Sequence, residues 1–333
     1  MTGAVYDRGY RPYEGTRGGR GAARAALFRA TVRRALGIRR SWRQKVAPFV
    51  LLAIAVVPAI VNVGVKYLTR DTPARDLEFF TYREYVGVSN TLLVFVALTA
   101  PDIMCPDRRQ RVLPLIFARP LSGVDYVLAK VGAMASILFA FSFLPQVVLF
   151  VGQMLVSDDG ALRYLRDNAE ILWQVPVAVA LLALFYASLG VAISSLASRR
   201  IIAGASIIGL FLVTSIVSAI LVGPRTTVVE GRSGPPSTVV VGPDGTGAPG
   251  PVLPTGPGPT TFVVVEPEPS AAPLLNLAGL PLVLRDVVFL GEIEPEHPMS
   301  GLEGGGLLAT GVFVLVVGVC LATLRYRYDE VER

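Results

Sequence analysis

The chain holds one histidine and two cysteines in 333 residues, too few for a usual zinc site. Cys105 and Cys320 fall at ends of apolar runs, which gives no support for a disulfide framework. Lysine is nearly absent: Lys45, Lys66 and Lys130 stand beside 28 arginines, and none lies in a glycine-rich turn. No GxxxxGK[ST] occurs, so the chain lacks the phosphate-cradling loop of the usual nucleotide hydrolases. Gly18-Gly19-Arg20-Gly21 sits in a basic tail with no preceding strand and reads as linker. Charged residues make up only 17%, and no Asp, Glu, Arg or His falls near the middle of a long apolar run. That excludes the ionisable groups that ion-coupled carriers generally hold at membrane depth. His297, in EIEPEHPMS, reads as a solvated side chain. With no convergent acid, base or metal group, a polytopic membrane enzyme is disfavoured, and no cofactor is expected.

What the chain has is apolar length. Hydrophobic residues are 52% and mean hydropathy is +0.56. Six runs stand out, at about Ala47–Lys66, Val86–Met104, Val131–Val156, Ile171–Leu196, Ile201–Val222 and Leu307–Leu324. Each has roughly the 20 residues that a helix needs to cross a bilayer, and a helix satisfies its own backbone there. The fold class is therefore an all-α polytopic membrane protein with six transmembrane helices. The net charge of +6 lies mostly beside these runs, so it reads as topology-setting charge facing anionic lipid, not as a nucleic-acid surface.

Orientation follows from the basic residues. With the N-terminus inside, segments 1–46, 105–130, 197–200 and 325–333 are cytoplasmic and hold 22 of the 31 lysines and arginines. Both termini are then expected in the cytoplasm, with the protein multi-pass in the cell membrane. The first 45 residues are too arginine-rich for a cleavable signal peptide, so the first span is expected to stay as an anchor.

Four regions are expected on this layout. Residues 1–46 form a basic tail ending in an amphipathic helix over 22–45. On a wheel, its Leu27, Phe28, Val32, Ala35, Leu36, Ile38 and Trp42 share one half, while Arg29, Arg33 and Arg40 lie opposite. Such a helix suits the membrane interface, although Gly37 weakens it by roughly 1 kcal/mol. Residues 47–222 hold the first five spans. Residues 223–306 form an outer insert, rich in Pro and Gly over 223–273, with β-branched patches at Thr226–Val229, Thr238–Val241 and Thr260–Val265. A small hairpin and a Pro/Gly linker are both open readings. Leu274–Leu290 follows as an apolar helix on the outer leaflet, since spanning would bury Arg285 and Asp286. Residues 307–333 complete the sixth span and tail.

Polar residues inside the runs are few: Asn62, Ser89, Asn90, Gln146, Gln153, Tyr186 and Ser188. They can hydrogen-bond between helices, at roughly 0.6–2 kcal/mol each. Alternatively they line a substrate path, for which Asn62, Asn90, Gln146 and Gln153 are the candidates. Pro58 and Pro145 would kink the first and third helices. Asp71, Asp76, Glu78 and Glu84 gather in the first outer loop, interleaved with Arg70, Arg75 and Arg83. That mixture reads as solvated surface.

The remaining anomaly is Pro106–Lys130, PDRRQRVLPLIFARPLSGVDYVLAK, too apolar for an ordinary loop and too charged to span. Its Leu113–Phe117 turn, Arg119-Pro120-Leu121-Ser122 step and Tyr126-Val127-Leu128-Ala129-Lys130 lead-in resemble the cytoplasmic loop between the second and third helices of ABC-2-type transporter permeases. The opening YDRGYRPYEGTRGGR is similar to a permease subgroup common in high-GC actinobacteria. The resemblance implies the membrane subunit of an ABC exporter, working by alternating access as a homodimer or heterodimer. A separate cytoplasmic ATPase subunit would bind the ATP. It further implies that Asp107–Ala118 is a coupling helix, with Asp107, Arg108, Arg109 and Arg111 as polar contacts and Leu113, Leu115 and Phe117 as the apolar side. Family members often carry Glu-Gly-Thr where Gln110-Arg111-Val112 stands, so the charge of the docking face is expected to be reversed. The long outer insert also departs from the family's short segment. The alternative is a non-transporting scaffold or sensory protein with that insert as its binding module.

Overall fold

The computed structural model describes residues 18–37, 42–70, 72, 81–86, 89–118, 120–157, 160–222, 270–295 and 297–332, with the side chains of 42–48, 89–90 and 330–332 outside that description. Among the described residues there are helices and turns and no strand. The three β-branched patches of 223–273, Asp71, Asp76, Glu78 and Arg75 lie outside them.

Eleven α-helices follow in order among the described residues: α1 (Arg20–Ala35), α2 (Trp42–Thr69), α3 (Tyr82–Val86), α4 (Ser89–Arg109), α5 (Leu113–Phe117), α6 (Gly123–Val156), α7 (Ala161–Asp167), α8 (Ile171–Leu196), α9 (Arg200–Val222), α10 (Leu280–Leu290) and α11 (Gly305–Glu332). Six helical stretches are long and apolar enough to cross a membrane, and each contains one of the six apolar runs or nearly all of it. α4 and α6 outrun their apolar stretches toward each other: α4 continues to Arg109 and α6 starts at Gly123, so half of 105–130 is helical extension and not loop.

α6 and α8 form the centre, with α4 packed beside α8 and α1 and α2 laid on α6. The core runs through Phe95, Met134, Leu138, Leu182, Phe185 and Ile207, all essentially inaccessible. Close approach depends on small residues. A Cβ on Gly190 of α8 would fall 2.5 Å from Val96 of α4, and one on Gly204 of α9 would fall 2.9 Å from the Ala97 carbonyl oxygen. The outward faces of α2, α9 and α11 are apolar and exposed, including Ile60, Leu68, Ile201, Val213, Ile220 and Val314. Such faces suit lipid or another apolar chain rather than water.

Two local expectations are corrected. The amphipathic helix expected over 22–45 is α1 alone: it ends at Ala35, where Gly37 turns the chain with φ +65°. Its apolar face (Leu27, Val32, Ala35, Leu36) packs against the helical core instead of remaining open. The expected Leu274–Leu290 helix is divided. A 3₁₀ turn spans Ala272–Leu275, and the Asn276 carboxamide oxygen then accepts from the Ala278 and Gly279 amides, both at 3.1 Å. That Asx-type turn holds the chain out of the helix until Leu280. α10 is 11 residues long, about half a span. Its Arg285 and Asp286 face inward, paired at 2.6 Å, with Arg83 of α3 joining them 3.8 Å from Asp286. Pro58 and Pro145, expected to kink the first and third spans, lie inside α2 and α6.

Candidate functional site

α4 ends in a complete Schellman motif. The Val112 amide donates to the Asp107 carbonyl at 3.2 Å and the Arg111 amide to the Arg108 carbonyl at 3.2 Å, while Arg111 takes the left-handed conformation at φ +51°. Glycine normally fills that position, so an arginine there bears a Cβ penalty. This turn breaks the expected Asp107–Ala118 helix in two. Asp107, Arg108 and Arg109 close α4, and Leu113–Phe117 form the separate five-residue α5. After α5, Ser122 and Asp125 make a capping box that starts α6: the Ser122 hydroxyl accepts from the Asp125 amide at 3.3 Å, and the Asp125 carboxylate accepts from the Ser122 amide at 3.1 Å.

The seven residues expected on the coupling surface separate into two groups. Asp107 is 2% exposed and turns inward. It accepts from Lys130 Nζ at 2.6 Å, from the Tyr126 hydroxyl at 2.9 Å and from Arg34 of α1. Lys130 Nζ also donates to the Ile103 carbonyl at 3.1 Å. Burying a carboxylate is expensive, and three donors around it are what make the position tolerable. Arg108 is tethered as well, donating to the Ser195 carbonyl of α8 at 2.6 Å. By contrast Arg109 and Arg111 are exposed, as are Gln110 and Pro114. Leu115 is 71% exposed. Leu113 and Phe117 point the other way, half-buried against the core.

α5 is firmly rooted. The Phe117 ring lies 5.9 Å from that of Tyr126, which in turn lies 4.8 Å from Tyr328 of α11. Further ion pairs strap the same end together. Arg20 and Arg24 of α1 reach Asp125 at 2.6 and 3.4 Å, and Arg200 of α9 reaches Asp102 of α4 at 2.9 Å. Four further helices, α1, α8, α9 and α11, therefore converge on the α4–α5–α6 turn. A groove of about 310 Å³ opens between α1 and α5, floored by Asp107 and Lys130 and walled by Leu27, Leu115 and Ile116. Tyr328 and Arg34 were not singled out from the sequence, and Tyr126 and Lys130 were named only as part of the lead-in to the third span, without a pairing. Asp107 and Lys130 had a signal, as opposite charges flanking consecutive apolar runs, and Ser122-x-x-Asp125 is a readable capping pattern.

The substrate-path candidates lie elsewhere. Gln146 and Gln153 of α6 and Asn62 of α2 are buried, while the Asn90 side chain falls outside the described residues. Gln153 Oε1 accepts from the Tyr82 hydroxyl at 2.8 Å and from the Tyr164 hydroxyl at 2.9 Å, and the two hydroxyls lie 2.7 Å apart. Gln146 Nε2 donates to the Tyr82 carbonyl at 3.3 Å. Tyr186 donates to the Ala278 carbonyl at 3.2 Å, tying α8 to the turn before α10, while Ser188 donates to the Phe185 carbonyl at 2.9 Å within α8 itself. The structure thus brings Gln146 and Gln153 to one cluster around Tyr82.

His297 is half-buried, not solvated: its Nδ1 accepts from the Met299 amide at 3.3 Å, and burial holds the imidazole below the ordinary histidine range. Glu84 caps α3, its carboxylate accepting from the Thr81 amide at 2.9 Å. Both cysteines are free. Among the described residues no group of three or more His, Cys, Asp or Glu side chains is placed to hold a metal. Comparison of the chain with protein-family models, with curated proteins and with solved structures finds no match in any of the three.

Proposed function

We propose that this chain is the membrane-spanning subunit of an ATP-driven exporter, energised by a separate cytoplasmic ATPase subunit that docks on the α4–α5–α6 turn. The reading rests on the resemblance of Leu113–Lys130 to the ABC-2 permease loop and on one observation above the others. α5 offers Leu115 to the outside at 71% exposure, beside the exposed Arg109 and Arg111. Behind it, Phe117 is rooted through Tyr126 and Tyr328 into α6 and α11.

In this reading the residues divide the work. Leu115, Arg109 and Arg111 make the contact, and an acidic groove on the ATPase would complement the two arginines. Asp107, Lys130 and Arg34 do not touch the partner. They fix α4, α6 and α1 together, so that displacement of α5 moves three helices as one body, which is what alternating access requires. Both termini and the turn are cytoplasmic, and the exposed apolar faces of α2, α9 and α11 supply surface for lipid and a second permease subunit.

The test is co-purification with the co-expressed ATPase subunit, together with substrate-stimulated ATP hydrolysis. Replacing Arg109, Arg111 and Leu115 with Glu, Glu and Asp should abolish both while leaving the thermal midpoint of the isolated permease unchanged. Unaltered co-purification and hydrolysis in that variant would sink the docking assignment.

A further inference from the structure

At the end of the bundle opposite α5, a crevice of about 160 Å³ lies between α3, α6 and α8. Its walls are Phe143, Val147 and Phe150 of α6 and Ile171, Leu172 and Pro176 of α8, with Tyr82 and Gln146 as polar members. Gln146 is only 1% exposed. The Tyr82 carbonyl can only accept, so the Gln146 carboxamide must present its nitrogen there, as it does at 3.3 Å. The other end, Oε1, is buried and has no hydrogen-bond partner. A buried acceptor left unmade costs its full desolvation, and most such groups in native proteins are satisfied.

A single water is a poor occupant, since it needs two to four polar partners and the walls are apolar. The volume is instead close to that of an engineered apolar cavity of about 150 Å³ that holds benzene. The crevice is not sealed: Val147 is 41% and Leu172 53% exposed, both on outward faces of their helices. Its mouth therefore opens sideways, toward whatever apolar phase surrounds the bundle. No charged residue lines it, which disfavours ions.

We propose that this crevice binds a neutral, ring-sized apolar molecule with one hydroxyl or N–H, which enters sideways from the bilayer and donates its hydrogen to Gln146 Oε1. That such a ligand is exported cargo rests on the export reading; that it binds does not. The class is phenol-like: an aromatic or compact aliphatic body against Phe143, Phe150 and Pro176, and one donor for Gln146 Oε1.

The probes are 4-fluorophenol and 4-fluorotoluene, matched in shape and differing in the donor. Binding to the full chain in lipid nanodiscs is followed by fluorine NMR. The wild type should bind 4-fluorophenol saturably and about 5- to 10-fold more tightly than 4-fluorotoluene, the ratio a single neutral hydrogen bond provides. Gln146→Leu should bring that ratio to near one. Val147→Trp, at the exposed rim, should abolish saturable binding of both while keeping the wild-type thermal midpoint. Absence of saturable 4-fluorophenol binding to the wild type overturns the proposal. So does equal affinity for the two probes, the result for a crevice that takes only acyl chains, and so does a preference that survives in Gln146→Leu. Binding as expected without stimulated ATP hydrolysis by the complex would count against the export reading alone.

Discussion

Asp107 and Lys130 meet at 2.6 Å with side chains no more than 3% exposed, on two helices whose apolar runs exclude both residues. They stand 23 positions apart, at the roots of the two helices that carry the exposed turn between them. Their pairing converts two chain segments that hydropathy alone would leave as loop into the continuation of α4 and α6.

Lys130→Met should lower stability by about 3 kcal/mol, because Asp107 stays buried with Arg34 and Tyr126 as its remaining donors. Adding Asp107→Leu removes the stranded charge. The double variant should then lose less than the two single losses combined, with a coupling of about 1–3 kcal/mol. Strictly additive losses in detergent unfolding curves would show that the pair is not the root of the turn.

Arg111 occupies a left-handed position with φ +51° at the end of the Schellman motif. Arg111→Gly should therefore stabilise the isolated protein by about 1 kcal/mol, and Arg111→Val should destabilise it by a similar amount. A lower thermal midpoint for the glycine variant would contradict the geometry.

Gly190 faces Val96 so closely that a Cβ would sit 2.5 Å from a methyl carbon. Gly190→Ala should cost about 1–3 kcal/mol through overpacking between α4 and α8. Val96→Ala opens the same space from the other side, so the double variant should recover most of the loss. Unfolding midpoints of the three variants decide the matter.

His297 gives a pH dependence of known sign. Burial depresses its folded pKa, with Asp286 and Glu294 opposing more weakly. The unfolded chain then binds the proton first as pH falls, so this histidine contributes stability above about pH 6.5 that is lost below it. Protonation also removes the acceptor that Nδ1 offers to the Met299 amide. Between pH 7.5 and 5, wild type should lose more stability than His297→Gln; parallel curves for the two would refute the assignment.

The six spans were legible because they are long, uninterrupted and apolar, and periodicity placed Leu27, Val32 and Leu36 on one face of α1. Helix ends were not. Hydropathy marks Asp107, Asp125 and Lys130 as loop residues, since it assigns each charge its cost without the partner that offsets it. The same blindness hid Arg285 and Asp286, which satisfy each other on the inner face of α10. At the exposed turn, Arg109, Arg111 and Leu115 could be named from the sequence. Which of the turn's residues face outward could not be read there, because Arg111's backbone conformation rotates α5 away from the axis of α4. Gln146 was recognisable as polar within a span, but its unpaired oxygen depends on where the Tyr82 carbonyl falls, and that is a matter of three-dimensional placement.

The straps from α1 also set an order on biosynthesis. Arg34 pairs with Asp107, 73 positions later, and Arg20 with Asp125, 105 positions later. α1 leaves the ribosome well before either carboxylate has been made. It must wait as an unanchored basic helix until α4 and the start of α6 have followed. Only then can α1 be locked against the end of α4 and the start of α6, which makes its docking a late checkpoint on the assembly of everything between them.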